Sequence, residues 1–161
     1  MAKIKLANNK IIEDYTSPYI VAEINTSHFG NIDIAKEMIH ALKEMKCDCV
    51  KFQSWTVDTL YSNTYYEENP IAQRMVKKLS LSEEDLFNLA SYANSIGIDF
   101  ASTPYSEKEV LFLIDECKVP FIKIASMELN NYPFLEFIAD TKIPIILSTG
   151  MGTYEEIDEA V

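Results

Sequence analysis

The chain is short of residues that several kinds of protein depend on. Glycine occurs four times in 161 residues, and no G-x-G-x-x-G turn appears. The phosphate-cradling fingerprint of dinucleotide-binding α/β domains is therefore missing. Cysteine numbers three, Cys47, Cys49 and Cys117, an odd count without the C-x-x-C pairs of a zinc site. Cys47 and Cys49 stand where a helical pattern gives way to a strand, which fits small buried thiols in a reducing compartment. Histidine is limited to His28 and His40. Fourteen Lys and Arg face 25 Asp and Glu, a formal charge of −11 that argues against nucleic acid, whose phosphates demand a basic face. A small anion stays compatible with that balance, because a few buried lysines dominate the field inside a cleft. No apolar run approaches the ~18 residues of a membrane span, and the N-terminus lacks a basic-then-apolar signal pattern. A cytoplasmic protein that binds neither membrane nor nucleic acid is expected.

What is present is an ordinary globular composition, 48% hydrophobic and 24% charged, and a length that suits one domain. Lys3 to Leu6 and Lys10 to Ile12, around Ala7-Asn8-Asn9, predict a hairpin within residues 1–16. Residues 17–161 then alternate between short apolar runs and helical patterns. Strands are predicted at Tyr19 to Ile24, Cys49 to Gln53, Phe100 to Thr103, from Phe121, and at Ile143 to Ser148, buried on both faces. The first helix is predicted over Asn31 to Met45 with Ile34, Met38, Ala41, Leu42 and Met45 on its apolar face. Ser54 to Ser80 reads as a long polar and aromatic connection holding one helix, Ile71 to Lys78. Ser82 to Asp85, Ser106 to Glu109 and Thr153 to Glu156 each read as a capping box opening a helix, and Gly97 as a helix stop. The resulting βα repeat, with right-handed crossovers, predicts parallel sheet. An open doubly wound sheet and the front part of a (β/α)8 barrel both accommodate it.

The chemistry-bearing residues sit inside or just after the apolar runs. Phe121-Ile122-Lys123-Ile124-Ala125-Ser126-Met127-Glu128 carries a lysine within a strand and a serine and glutamate behind it. Val50-Lys51-Phe52-Gln53 repeats the buried lysine, and Ile20-Val21-Ala22-Glu23 ends in a carboxylate. An ammonium in such a place needs an anion, a carboxylate partner or a cavity mouth, since an unpaired buried charge is very costly. Polar groups delivered by neighbouring strands near their C-terminal ends are how a (β/α) barrel builds an active site. His40, on a helix, reads as a surface or packing residue. The tyrosines of residues 61–66 read as packing aromatics or a cover over a site.

Taken in series, Ala22-Glu23-Ile24 with His28 and Gly30, Val50-Lys51-Phe52-Gln53, Ser102-Thr103-Pro104, Lys123 to Glu128 and Ile146-Leu147-Ser148-Thr149-Gly150-Met151 resemble the N-acetylneuraminate (sialic acid) synthase family. That family includes legionaminate and pseudaminate synthases and spore-coat polysaccharide relatives. The resemblance implies an α/β fold, a (β/α)8 TIM barrel of which this chain covers about the first five β/α units. The rest of the barrel and a C-terminal antifreeze-like domain would lie outside it. It implies condensation of phosphoenolpyruvate with an N-acyl hexosamine such as N-acetylmannosamine, with release of phosphate. It also implies a divalent metal, Mn2+ or Mg2+, with its histidine ligands on later strands and none in this chain, and a homodimer. Carried over by motif, Lys51, Thr103, Lys123 and Ser126 hold phosphoenolpyruvate, Gln53 and His28 contact substrate, and Glu23 and Glu128 are the catalytic carboxylates. The loop Asn25-Thr26-Ser27-His28-Phe29-Gly30 departs from the family's usual Gly-Ile-Asn-His-x-Gly in its first three residues. A Schiff-base aldolase using Lys123 or Lys51, and an inactive half-barrel that binds an anion, are the competing readings.

Overall fold

The computed structural model describes residues 2–161. A hairpin of β1 (Lys3–Lys5) and β2 (Ile11–Glu13) opens the chain, with Ile4 opposite Ile12. Five strands follow: β3 (Val21–Glu23), β4 (Cys49–Gln53), β5 (Asp99–Thr103), β6 (Ile122–Ile124) and β7 (Ile145–Leu147). The first three pair in parallel in the order β3-β4-β5, and β6 pairs in parallel with β7. β5 lies beside β6 without a ladder between them. Strand order thus follows chain order, as in a barrel; a doubly wound sheet reverses direction partway.

Helices fill the crossovers: α1 (Ile32–Glu44), then α2 (Val57–Leu60), α3 (Asn63–Glu68), α4 (Pro70–Leu79) and α5 (Glu83–Ser95) between β4 and β5. After them come α6 (Glu107–Asp115), α7 (Tyr132–Asp140) and α8 (Tyr154–Ala160). The long connection after β4 is therefore three helices rather than one. The capping boxes at Ser82–Asp85 and Thr153–Glu156 form as predicted. At α6 only half a box forms: the Ser106 hydroxyl accepts from the Glu109 N–H, but the Glu109 carboxylate is engaged elsewhere. The apolar face of α1 is also rotated from the predicted one. Ala35 and Ile39 are buried, whereas Ile34, Ala41 and Met45 are exposed. A small alanine at the closest approach lets the helix settle on the sheet, and the bulkier Ile34 is left at the edge.

Side chains alternate across each strand, so two layers are built at once. Outward-facing Ile24, Val50, Phe52, Phe100, Ile122 and Ile124 join Ala35, Ile39, Leu86, Leu89, Val110, Leu113 and Ile138 of the helices in the main core. Phe52 stacks on Phe100 at 5.2 Å. Each such side chain contributes about 1.5–3 kcal/mol of transfer free energy. Inward-facing Cys49, Ala101 and Phe121 meet Leu6 of the N-terminal segment in a second, smaller core. Burial on both faces holds for β4, β5 and β6 but not at the margins. Glu23 on β3 is exposed, as are Ile145 and Ile146 on β7, because no strand among the described residues covers the outer edge of either.

The hairpin is fastened to the sheet by Asp99. Its Oδ2 accepts from Asn8 Nδ2 at 2.9 Å, Lys10 Nζ at 2.8 Å and the Tyr19 hydroxyl at 2.5 Å. Burial, with Cys49 and Asp99 beside it, raises the Tyr19 hydroxyl far above its ordinary range. Burial likewise pushes the Cys49 thiol up to about 12, so it is inert packing. Asp99→Ala should destabilise the protein by about 1–3 kcal/mol in urea unfolding, because it strands three donors. Lys10→Ala should cost under about 1 kcal/mol, since that pair is half in water.

Candidate active site

Every second residue of the parallel strands faces inward, and the inward layer changes character along the strands. Its lower part, Val21, Cys49 and Phe121 with Ala101 opposite Lys51, is apolar. One step toward the C-terminal ends it becomes Glu23, Lys51 and Lys123, with Thr103 and Gln53 a further step along. The register fixes the neighbours: Glu23 lies opposite Lys51, and Gln53 opposite Thr103.

Lys51 is buried and bonded on three sides. Its Nζ reaches Glu23 Oε2 at 2.5 Å, Thr103 Oγ1 at 2.9 Å and the Phe52 carbonyl at 3.3 Å. A carboxylate partner, the plainest explanation for a buried lysine, is therefore present, and it comes from a second candidate residue. Lys123 is half-buried and has no carboxylate partner. It donates to Ser148 Oγ and, at 2.6 Å, to the Ile124 carbonyl. Burial lowers its pKa, the Lys51 charge lowers it further, and Glu23 offsets part of that. The two ammonium groups thus share one electrostatic environment with a single nearby carboxylate. An anion entering there would find two cations, with Thr103 and Ser148 hydroxyls already pointed at them.

The remaining predicted residues occupy the rim. Ser126 opens a 3-10 turn, Ser126–Glu128, and with Met127, Leu129, Asn130, Gly150, Met151, Gly152 and Glu156 lines a cavity of about 160 Å³. Glu128 accepts from Asn131 Nδ2 at 2.6 Å. Gln53 Oε1 accepts from the Trp55 indole N–H at 2.7 Å, tying the strand end to the connection that follows. His28 belongs to a different layer. Its ring is buried against Phe52, 5.9 Å between centroids, and its Nδ1 accepts from the Gly30 N–H at 3.0 Å. Burial holds it below the ordinary histidine value. Gly30 has φ +74°, and a Cβ there would strike the Lys78 carbonyl. The His-x-Gly signature therefore shapes the loop after β3, and none of these contacts brings His28 to the lysines. His40 is exposed, as predicted.

Two residues of the site were not assigned from sequence. Ser148 was part of a quoted strand-end motif and received no role. The signal was its place just beyond β7, whose register sets Ile146 opposite Lys123. Tyr105 follows the Thr103-Pro104 turn. Burial pushes its hydroxyl up to about 12, with the negative charge of Glu128 the next cause. Its ring packs against the cluster of Trp55, Tyr66 and Val76. No group of three or more His, Cys, Asp or Glu among the described residues is placed to hold a metal ion. No helix among them is long and apolar enough to cross a membrane.

Comparisons with known proteins find relatives in sequence and in fold. The sequence profile of the NeuB family matches residues 38–161. The N,N'-diacetyllegionaminic acid synthase of Legionella pneumophila is 40% identical over 152 residues, 89% of this chain and 42% of that protein. The N-acetylneuraminic acid (sialic acid) synthetase of Leptospira borgpetersenii, solved in complex with citrate, matches with a TM-score of 0.87 at 28% identity, over 99% of this chain and 53% of that one. A truncated 3-deoxy-D-arabino-heptulosonate 7-phosphate synthase from Thermotoga maritima has a TM-score of 0.68 at 16% identity, over 99% of this chain and 50% of its own, and shares the fold alone. The chain spans less than half the length of the curated relative.

The lysine environment makes a direct prediction. NMR titration of Lys123 should give a midpoint below the ordinary 10.5, and Lys51→Met should move it back upward. Because the folded value lies below the unfolded one, the charged lysine costs stability at neutral pH. That cost should be relieved as pH rises through the window ending at 10.5. An unmoved midpoint in Lys51→Met would show that the two ammonium groups do not interact.

Proposed function

Because the chain belongs to the NeuB family, we propose that it forms the phosphoenolpyruvate-binding part of a sialic-acid-type synthase. Such an enzyme condenses phosphoenolpyruvate with an N-acyl hexosamine and releases phosphate, giving a nonulosonate for surface polysaccharide. The observation that supports this most strongly is Lys51 and Lys123 together on the inward face, ringed by the Thr103 and Ser148 hydroxyls. Phosphoenolpyruvate carries a phosphate and a carboxylate, and preorganised cations and hydroxyls are what its charge requires. Lys51 and Thr103 hold one anionic group and Lys123 with Ser126 and Ser148 the other. Glu23, which balances Lys51 when the anion is away, is released by its arrival to bond sugar hydroxyls. Glu128 is the second carboxylate available for proton transfer.

The parallel ladders in chain order fit the first five units of a (β/α)8 barrel, with the β1–β2 hairpin folded beneath it. Further β/α units cover the open edges of β3 and β7 in the complete enzyme, a cytoplasmic homodimer with an antifreeze-like C-terminal domain. A divalent cation, Mn2+ or Mg2+, joins the site on ligands outside the described residues. An N-acyl hexosamine is the second substrate.

The Schiff-base alternative has one observation in its favour, the lowered pKa of Lys123, which an imine-forming amine needs. Two measurements on the complete enzyme separate the readings. Phosphate should be released from phosphoenolpyruvate only when an N-acyl hexosamine is present, and borohydride should trap no pyruvate on either lysine. Lys123→Ala should weaken phosphoenolpyruvate binding by about 1.5–3 kcal/mol while sugar binding changes little. Lys123→Arg should fail to restore it, since a planar fork does not fit the place of a compact ammonium. A trapped adduct without phosphate release would replace the synthase with an aldolase.

A further inference from the structure

Glu109 is the one acidic side chain that is buried among the described residues, 6% exposed. No lysine, arginine or histidine pairs with it there. A buried carboxylate without a cation is sustained only by hydrogen bonds. Glu109 has two beyond its own helix, and they lead to different parts of the chain. Its Oε1 accepts from the Thr59 hydroxyl at 2.8 Å, and its Oε2 accepts from the Tyr105 backbone N–H at 2.6 Å. The Thr59 hydroxyl oxygen itself accepts from the Thr56 N–H at 2.9 Å, at the N-cap of α2. A continuous chain of hydrogen bonds therefore runs from the start of α2, through Thr59 and Glu109, to the turn just after Thr103 and Pro104. Ordinary helix capping would turn this carboxylate back to the Ser106 N–H; here that bond is given up for the link.

The two ends of the link matter to the site. Tyr105 packs on the cluster of Trp55, Tyr66 and Val76 in the connection between β4 and α5. Trp55 also bonds Gln53 at the end of β4. Just beyond α2, Tyr61 lies 4.6 Å from Tyr65 and 5.9 Å from Tyr66, ring centre to ring centre. We propose that Glu109 is a positioning residue that latches the β4–α5 connection onto the exit of β5, so that Tyr105 and the tyrosine cluster form a fixed wall at the C-terminal ends of β4 and β5. Aromatic faces for a C–H surface, with tyrosine hydroxyls at their edges, suit a polyol; on the synthase reading the wall serves the sugar and the lysines serve the anion. Glu109 touches neither substrate.

Hydrogen exchange and kinetics on the complete enzyme, as wild type, Thr59→Val, Thr59→Ser and Glu109→Gln, test this. Thr59→Val and Glu109→Gln should speed amide exchange across residues 56–68 by about tenfold, the equivalent of one lost hydrogen-bonded contact, and leave the strand amides of β3–β5 protected. Thr59→Ser keeps the hydroxyl and should behave as wild type. The KM for the N-acyl hexosamine should rise by about tenfold or more with that for phosphoenolpyruvate nearly constant. Unchanged exchange over 56–68, exchange rising equally through β3–β5, or both KM values rising together would overturn the latch. If the wild type releases no phosphate at all, the synthase reading fails, and the exchange comparison still decides whether Glu109 is a latch.

Discussion

Lys51 carries a full charge on a strand that is buried on both faces, and the inner layer is arranged to sustain it. Left alone, such an ammonium would cost several kcal/mol. It is held by a carboxylate from the strand on one side and a hydroxyl from the strand on the other, Glu23 and Thr103. Those contacts exist only in this register of β3, β4 and β5. A one-residue slip would turn Lys51 into the helix-facing core and Phe52 into the site. The register is in turn secured from outside by Phe52 stacking on Phe100 and by α1 and α5 packed over them.

The same alternation separates stability from chemistry along the inner layer. Its lower part is Cys49, Ala101 and Phe121 closed off by Leu6, with Asp99 clamping the hairpin through three donors. Its upper part collects the two lysines, the hydroxyls and the carboxylates. Barrel enzymes keep their chemistry at the C-terminal ends of the strands because the loops there can vary without disturbing the layer beneath. Here the loop after β4 uses that freedom: three helices in place of a short turn, tied back to the strand ends through Trp55 and Glu109.

Much of this was legible in the sequence. Each buried lysine in an apolar run marks an inward position, and period-two alternation then assigns its neighbours, so Glu23, Gln53 and Thr103 follow. Cys49–Gln53 has the predicted ends because both faces are apolar or site-lining and nothing blurs the pattern. Less legible were features set by tertiary contact. The face of α1 turned on which residue was small enough to approach the sheet, and hydrophobicity alone ranks Ile34 above Ala35. The Glu109 carboxylate fits a capping pattern, yet its partners, Thr59 and Tyr105, include one 50 residues away. His28 illustrates the converse. Its motif was recognisable, but the structure gives its nitrogen to Gly30 and its ring to Phe52, so the signature reports loop shape.

The central claim is that Lys51 and Lys123 together make the anion site. Titration of phosphoenolpyruvate into wild type, Lys51→Met and Lys123→Met at two ionic strengths tests it most directly. Each replacement should lower the affinity by about tenfold or more and flatten its salt dependence, because each removes a charge-assisted contact. Affinity and salt dependence unchanged in both variants would contradict the account and place the anion elsewhere.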